Sequence, residues 1–278
     1  MNNETIQEKD TGAVKVLVHS FFVIPFVIAV FGVLFFFMFQ IIVDETDSAY
    51  EYLNEVKIGS ATKRWQSAFE LAKILSDPDL IPTTIDFKNE MVSTYKNSIH
   101  DNPLVRTYLA FAMGKTGDRT YGIALLEGLD DKNFNSRLAA INSLGMIKYQ
   151  EAIPRLKDYL KDTATQDERL AAVIALGMIG DKSIIKDLKI LLSDDEPNIR
   201  WDAAIALAKL GDRSGSMEIE NLLDRGYLDK FPSIDEWEKT QAILVAIHTS
   251  NQISDDRFIP KLKNLAENDQ NMKIRDSA

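Results

Sequence analysis

The chain has 278 residues and a formal net charge of −10; 45% of its residues are hydrophobic, 27% are charged, and none is cysteine. The lack of cysteine excludes a disulfide framework, a zinc–thiolate site and a thiol nucleophile. Outside the first 43 residues there are 39 acidic and 30 basic side chains, a net −9, and such acidity disfavours a phosphate-backbone partner, so no nucleic acid is expected.

Residues 1–15 form a short polar tail. Residues 16–43 contain no Asp, Glu, Lys or Arg and hold eight of the fourteen phenylalanines. As a helix rising 1.5 Å per residue this stretch would span about 42 Å, against a hydrocarbon core of about 30 Å. Being apolar all round rather than on one stripe, it is predicted to be a transmembrane helix in contact with the lipid bilayer. A cleaved signal peptide would end its apolar run after about 7–15 residues at a small-residue site. Here the run continues to Ile41-Ile42-Val43 before Asp44-Glu45, so an uncleaved anchor is expected. Lys9 and Lys15 precede it and the next basic residue is Lys57. This bias puts the N-terminus in the cytoplasm and the rest of the chain outside a bacterial inner membrane.

Residues 44–61 read as a short helix and linker, with Ala49, Tyr50, Leu53 and Val56 at helical spacing before the break at Gly59-Ser60. Across residues 62–278 one phrase returns. It is clearest as Arg64-Trp-Gln-Ser-Ala-Phe-Glu-Leu-Ala-Lys-Ile and Arg200-Trp-Asp-Ala-Ala-Ile-Ala-Leu-Ala-Lys-Leu, with further copies led by Arg106, Arg137 and Arg169 and a degenerate one near Thr240. The copies from Arg106 to Arg200 are spaced 31, 32 and 31 residues apart, a period that marks a solenoid of stacked helical hairpins. Counting from the arginine as zero, positions +3, +4 and +7 form an apolar stripe. Position +8 is small (Ala72, Gly114, Gly145, Gly177, Ala208), allowing close helix approach. Glycine at +11 (Gly117, Gly180, Gly211) ends the first helix, and the aspartate after it (Asp118, Asp181, Asp212) caps the second. Second helices are predicted over Tyr121–Leu129, Ala152–Leu160, Ile184–Leu192 and Met217–Leu223.

The phrase Arg-x-x-Ala-x-x-x-Leu-Gly-x-x-Gly-Asp, intact at Arg169 to Asp181, resembles the HEAT-like repeats of the phycobilisome-lyase type. The resemblance covers about residues 64 to 278. It implies an all-α fold of about six helical hairpins and a structural role for Arg64, Arg106, Arg137, Arg169 and Arg200 and for Asp118, Asp181 and Asp212, with arginine and aspartate bridging adjacent repeats. Lys148-Tyr149 departs from the Gly-Asp pattern, so the turn there is expected to be built differently. With the anchor, the chain is similar to membrane-anchored HEAT-repeat proteins of bacteria, a group united by architecture.

The period breaks twice: 42 residues separate Arg64 from Arg106, and 40 separate Arg200 from Thr240. The second insertion carries Tyr227, Phe231 and Trp237. Loops interrupting a solenoid often lie on its binding face, which makes these three the candidate partner-binding residues; filling the gap left by the irregular repeat is the alternative. At the other end, Arg275 opens a further copy that serves either as a cap or as an edge for a partner.

No catalytic constellation is visible. His19, His100 and His248 never recur at metal-ligand spacing. The paired acids Asp130-Asp131, Asp194-Asp195-Glu196 and Asp255-Asp256 stand at helix starts, where capping accounts for them. His248 replaces a small +8 residue and is expected to be accommodated by its neighbours. No catalytic, cofactor or metal residue is predicted. The expected function is a membrane-anchored scaffold or accessory subunit binding a membrane-associated protein. The alternative is a HEAT-fold enzyme of the lyase-like type.

Overall fold

A computed structural model describes residues 19–43, 48–161, 163–253 and 255–278. The polar tail at 1–15, residues 16–18 of the predicted span and residues 44–47 of the predicted linker lie outside the described residues. Every element among the described residues is helical. The contacts divide the chain into two units, one ending at Ser48 and one comprising Ala49–Ala278.

In the first unit a π-helical turn, His19–Val23, leads into α1, Ile24–Val43. The 20 residues of α1 measure about 30 Å. None of Phe21–Met38 is buried. The helix is long and apolar enough to cross a bilayer, a property shared by membrane spans and signal sequences.

The second unit opens with α2, Ala49–Ile58, and then alternates first and second helices. The hairpins are α3 Ala61–Ile74 with α4 Ile85–Asn97, α5 Pro103–Lys115 with α6 Gly122–Gly128, and α7 Phe134–Met146 with α8 Ile153–Asp158. They continue as α9 Gln166–Ile179 with α10 Ile185–Leu191, and α11 Pro197–Lys209 with α12 Ser216–Leu222. After the short α13, Arg225–Leu228, come α14 Glu236–Ser250 with α15 Phe258–Asn268, and α16 Met272–Ser277. Leu53 and Val56 of α2 are buried in the main core. The short helix read within residues 44–61 therefore packs as the first layer of the solenoid.

Local chemistry sets these boundaries. Asn102 and Asn133 accept from backbone N–H groups at 3.0 and 3.1 Å to start α5 and α7, and Thr165 with Glu168 forms a capping box on α9. Proline occupies the first turn of α5 and α11, where no N–H is needed. Gly117, Gly180 and Gly211 end their helices at φ 67°, 78° and 78°. Asp118, Asp181 and Asp212 then accept from Thr120, Ser183 and Ser214 N–H at 2.9, 2.7 and 2.8 Å. These bonds open a 3-10 turn before each second helix. The turn at Lys148 has the same left-handed backbone, φ 51°, without glycine. What differs there is the cap, since Tyr149 supplies no side-chain acceptor.

The stripe at +3, +4 and +7 is buried through α5, α7, α9 and α11. The small residues explain the spacing between layers. A β-carbon on Gly114 would lie 2.8 Å from Ser143 Cβ, one on Gly145 2.6 Å from Ala175 Cα, and one on Gly177 2.8 Å from Ala206 Cβ. Each +8 glycine thus receives the +6 residue of the next first helix. His248 departs from the expectation: it is exposed and contacts Gln252 at 3.2 Å. Position +8 is tight where the following first helix presents a +6 residue against it, as at Gly114, Gly145 and Gly177.

Both breaks in the period have structural causes. Between Arg64 and Arg106 the second helix, α4, is 13 residues long rather than about two turns. Between Arg200 and Thr240 the chain inserts α13 and the turns after it. The core divides at this second break. One face of α11, including Ile199, Ala203 and Leu207, belongs to the cluster running back to α2. Its other face, Trp201, Ala204, Ile205 and Ala208, packs with Ile243, Ile247 and Phe258.

Candidate functional site

The recurring arginines clasp the repeats. Arg106 Nε meets Asp131 Oδ2 at 2.5 Å, Nη1 donates to the Tyr95 carbonyl at 2.8 Å, and the guanidinium lies 4.5 Å from the Tyr95 ring centroid. Arg169 pairs with Asp194 at the same 25-residue separation. Asp131, Asp194 and Asp269 each turn a carboxylate oxygen to the N–H two residues on, at 2.8, 3.0 and 2.8 Å. Their carbonyls accept from the arginine six residues later: Arg137 at 2.8 Å, Arg200 at 2.7 Å and Arg275 at 2.6 Å. One junction aspartate therefore holds the arginines of two repeats. Arg137 also binds Glu168 at 2.8 Å, Arg200 approaches Glu218 at 3.9 Å, and Arg64 pairs with Asp101.

The Gly-Asp aspartates do not meet these arginines. Asp118 pairs with Lys88 at 2.5 Å and Asp212 with Lys189 at 2.8 Å, each lysine coming from the preceding second helix. Asp181 holds the Ser183 N–H, and that bond lowers its carboxyl pKa. Two separate sets of bonds join the layers. The junction aspartates were legible in principle, since an aspartate stands six residues before Arg137, Arg200 and Arg275.

The insertion separates the three candidate aromatics. Tyr227 and Phe231 lie edge-on to Trp201, with ring centroids 6.3 and 5.2 Å away, and 5.3 Å from each other. Trp201 Nε1 donates to Tyr227 Oη at 3.3 Å, and Tyr227 Oη donates to Glu218 at 3.2 Å. Both rings are half-buried against the C-terminal core. Trp237 is 69% exposed. It borders a cleft of about 470 Å³ lined by Arg225, Glu236, Thr240, Gln270 and Asn271.

Sequence reasoning missed the frame of this cleft. Thr240 occupies the arginine position of α14, and Arg225 from α13 supplies the absent guanidinium. Its Nε and Nη2 meet Asp269 Oδ2 and Oδ1 at 2.7 and 3.0 Å, and Nη1 reaches Glu236 at 3.3 Å. Burial raises the Asp269 pKa, but the bonds from Arg225 and from the Asn271 N–H outweigh it and hold the carboxyl below its usual range. Lys239 binds Asp229 at 2.7 Å and Glu236 at 2.8 Å.

Among the described residues no three His, Cys, Asp or Glu side chains group as metal ligands. His100 and His248 are exposed and far apart in the chain. Burial pushes the Asp202 carboxyl up to about 6, against a weaker opposing pull from Lys209. Burial likewise raises Tyr95 to about 12. The acids near Tyr95, Asp131 and Glu127, are themselves paired with Arg106 and Lys96.

Residues 95–177 and 164–226 match the family described as HEAT repeats. The chain is an α-solenoid carrying HEAT repeats through the overlapping span 95–226. Its fold is similar to that of the complex of CpcE and CpcF of phycocyanin lyase from Nostoc sp. PCC7120, at 20% identity and TM-score 0.54, covering 78% of this chain and 92% of that one. A designed armadillo repeat protein in complex with peptide (KR)4 is similar at 16% identity and TM-score 0.44, covering 82% and 95%. Human deoxyhypusine hydroxylase follows at 14% identity and TM-score 0.34, covering 82% and 81%. No curated protein matches the sequence. At 20% identity the likeness to the lyase complex is one of fold.

Proposed function

We propose that this protein is a membrane-anchored scaffold or accessory subunit. It holds a protein partner in a membrane-associated complex such as a transporter or envelope assembly. Residues 16–43 anchor it in a bacterial inner membrane, with the N-terminus cytoplasmic and the solenoid outside. The observation that carries the reading is Trp237: an indole left 69% exposed beside a rigidly framed cleft, at the place where the repeat period fails. Aromatic side chains of this kind anchor protein interfaces by filling partner pockets. Tyr227 and Phe231 act by fixing the insertion on Trp201. Tethering to the bilayer raises the effective concentration of partners in the same membrane.

Purification in several mild detergents with chemical crosslinking tests this reading. A stoichiometric membrane-protein partner supports it. Repeated recovery of the chain alone, or of a copurifying small-molecule ligand in a closed cleft, would favour the lyase-like alternative.

A further inference from the structure

The two kinds of helix in the stack differ in chemistry. Second helices carry mixed charge, as in Arg155, Lys157 and Asp158 of α8 and Lys186, Asp187 and Lys189 of α10. Counting again from the repeat arginine, positions +1 to +8 of α5, α7 and α9 hold no charged side chain. A helix apolar on every side is normally buried on every side. These three are not.

At about 100° per residue, +2, +5 and +9 lie opposite the buried stripe at +3, +4 and +7. From α3 to α14 the +5 row reads Phe69, Phe111, Asn142, Ile174, Ile205 and Val245. Phe69 is 44% exposed, Ile174 38% and Val245 41%, and Phe111 is half-buried. Phe69 lies edge-on to Tyr108, a +2 residue of the next first helix, with ring centroids 5.2 Å apart. The face is therefore continuous from layer to layer. Between Tyr108 and Asp202 the +2 row holds only Ala139 and Ala171, both buried, and their small size leaves a shallow trough. Met146 and Met178, half-buried at +9, flank it on the other side.

Two polar groups interrupt this apolar band. Asn142 Nδ2 donates to the Leu138 carbonyl at 3.0 Å, which leaves Oδ1 without a protein donor among the described residues. Asp202 makes no hydrogen bond or ion pair among the described residues; burial raises its carboxyl pKa, and the pull of Lys209 opposes this more weakly. A carboxylate so placed costs the folded chain stability. Its charge lacks a partner within the fold.

Dimensions and polar groups together select the occupant. From +2 to +9 the band is about 10 Å wide, the diameter of a helix, and one extended strand would cover only about half of it. From α5 to α11 it crosses three interhelix steps of about 8–10 Å each, a length that about 16–20 residues of helix would span. A lipid tail has no donor for Asn142 or Asp202, and covering them with hydrocarbon would strand both. Peptide side chains can supply those donors.

We propose that the band from Phe111 to Ile205 docks one amphipathic helix of a protein partner. The apolar stripe of that helix lies on Phe111, Ile174 and Ile205, with the flexible Met146 and Met178 beside it. A donor side chain meets Asn142, and a lysine or arginine about three helical turns further along meets Asp202. Neither the membrane anchor nor Trp237 enters this assignment.

The probe is a dye-labelled amphipathic peptide of about 20 residues, with leucines at helical spacing, a glutamine in its first half and an arginine about three turns beyond it. Fluorescence anisotropy is read against full-length protein in phosphatidylcholine nanodiscs, with empty nanodiscs subtracted. Saturable binding is expected, weakened on the order of tenfold when the arginine is replaced by glutamate or when the protein carries Asp202→Asn. Pairing the glutamate peptide with Asp202→Lys should restore it. Ile174→Lys, at an exposed position, should abolish binding while leaving the melting curve unchanged, and a peptide of scrambled spacing should not bind. Absence of saturable binding, or binding indifferent to Asp202 and to the arginine, overturns the proposal. So does dodecanoate displacing the peptide equally from the wild-type and Asp202→Asn proteins, which would mark a hydrocarbon ligand. Self-association abolished by Ile174→Lys would overturn it too, by assigning the face to a second copy of this chain.

Discussion

Arg225 clasps Asp269 across 44 residues of chain, in a two-pronged pair at 2.7 and 3.0 Å. It does for the last hairpin what Arg106 and Arg169 do for theirs, although it comes from the insertion rather than from a first helix. The Asp269 side chain is 1% exposed, so removing its partner leaves a buried charge uncompensated.

Arg225→Ala is therefore expected to cost about 2–4 kcal/mol, concentrated in the C-terminal core. Arg155→Ala breaks a pair whose side chains are 44% and 70% exposed and should cost under about 1 kcal/mol. Urea unfolding of the two variants checks the contrast.

Gly145→Ala places a β-carbon 2.6 Å from the Cα of Ala175. Backbone there cannot yield as a flexible side chain would, so the helices must part. A loss of about 1–3 kcal/mol is expected, read from the midpoint of thermal or urea unfolding.

Lys148→Gly should act in the opposite direction. Lys148 holds φ 51° in a turn whose equivalents in other repeats are glycines. Relief of that strain is worth about 1 kcal/mol, reduced by the extra freedom of glycine in the unfolded chain. A higher unfolding midpoint is expected.

Asp202 gives a pH signature. Burial raises its carboxyl to about 6 in the folded protein, against about 3.9 when unfolded. Between these values the folded chain keeps a proton that the unfolded chain has released, so this group's contribution lowers stability as pH rises through that window. Above about pH 6 the penalty is complete. Asp202→Asn should flatten this part of the pH–stability curve and add on the order of 2 kcal/mol at neutral pH, as followed by urea unfolding from pH 4 to 8.

The solenoid was legible because its determinants are local and periodic: the apolar stripe, the +8 glycines and the Gly-Asp turns all recur at one spacing. Lys148 broke the glycine pattern, yet the backbone kept the same turn, since neighbouring layers fix its geometry more firmly than one residue's preference does. The insertion was less legible. Nothing local told that Tyr227 and Phe231 would pack on Trp201 while Trp237 stayed outside, because that choice is made by contacts between segments far apart in sequence. Arg225 was hidden for the same reason, lying outside the helix whose arginine it replaces. His248 was misplaced because +8 was treated as intrinsically tight, when the tightness belongs to the pair it makes with the next layer.

The most direct measurement is site-specific photocrosslinking from position 237 of the full-length chain in its own membranes, with the same crosslinker at exposed Ile123 as the control. A scaffold docking its partner at the insertion requires one discrete protein adduct from position 237 and none from position 123. No adduct at 237, or the same adducts from both positions, would contradict it.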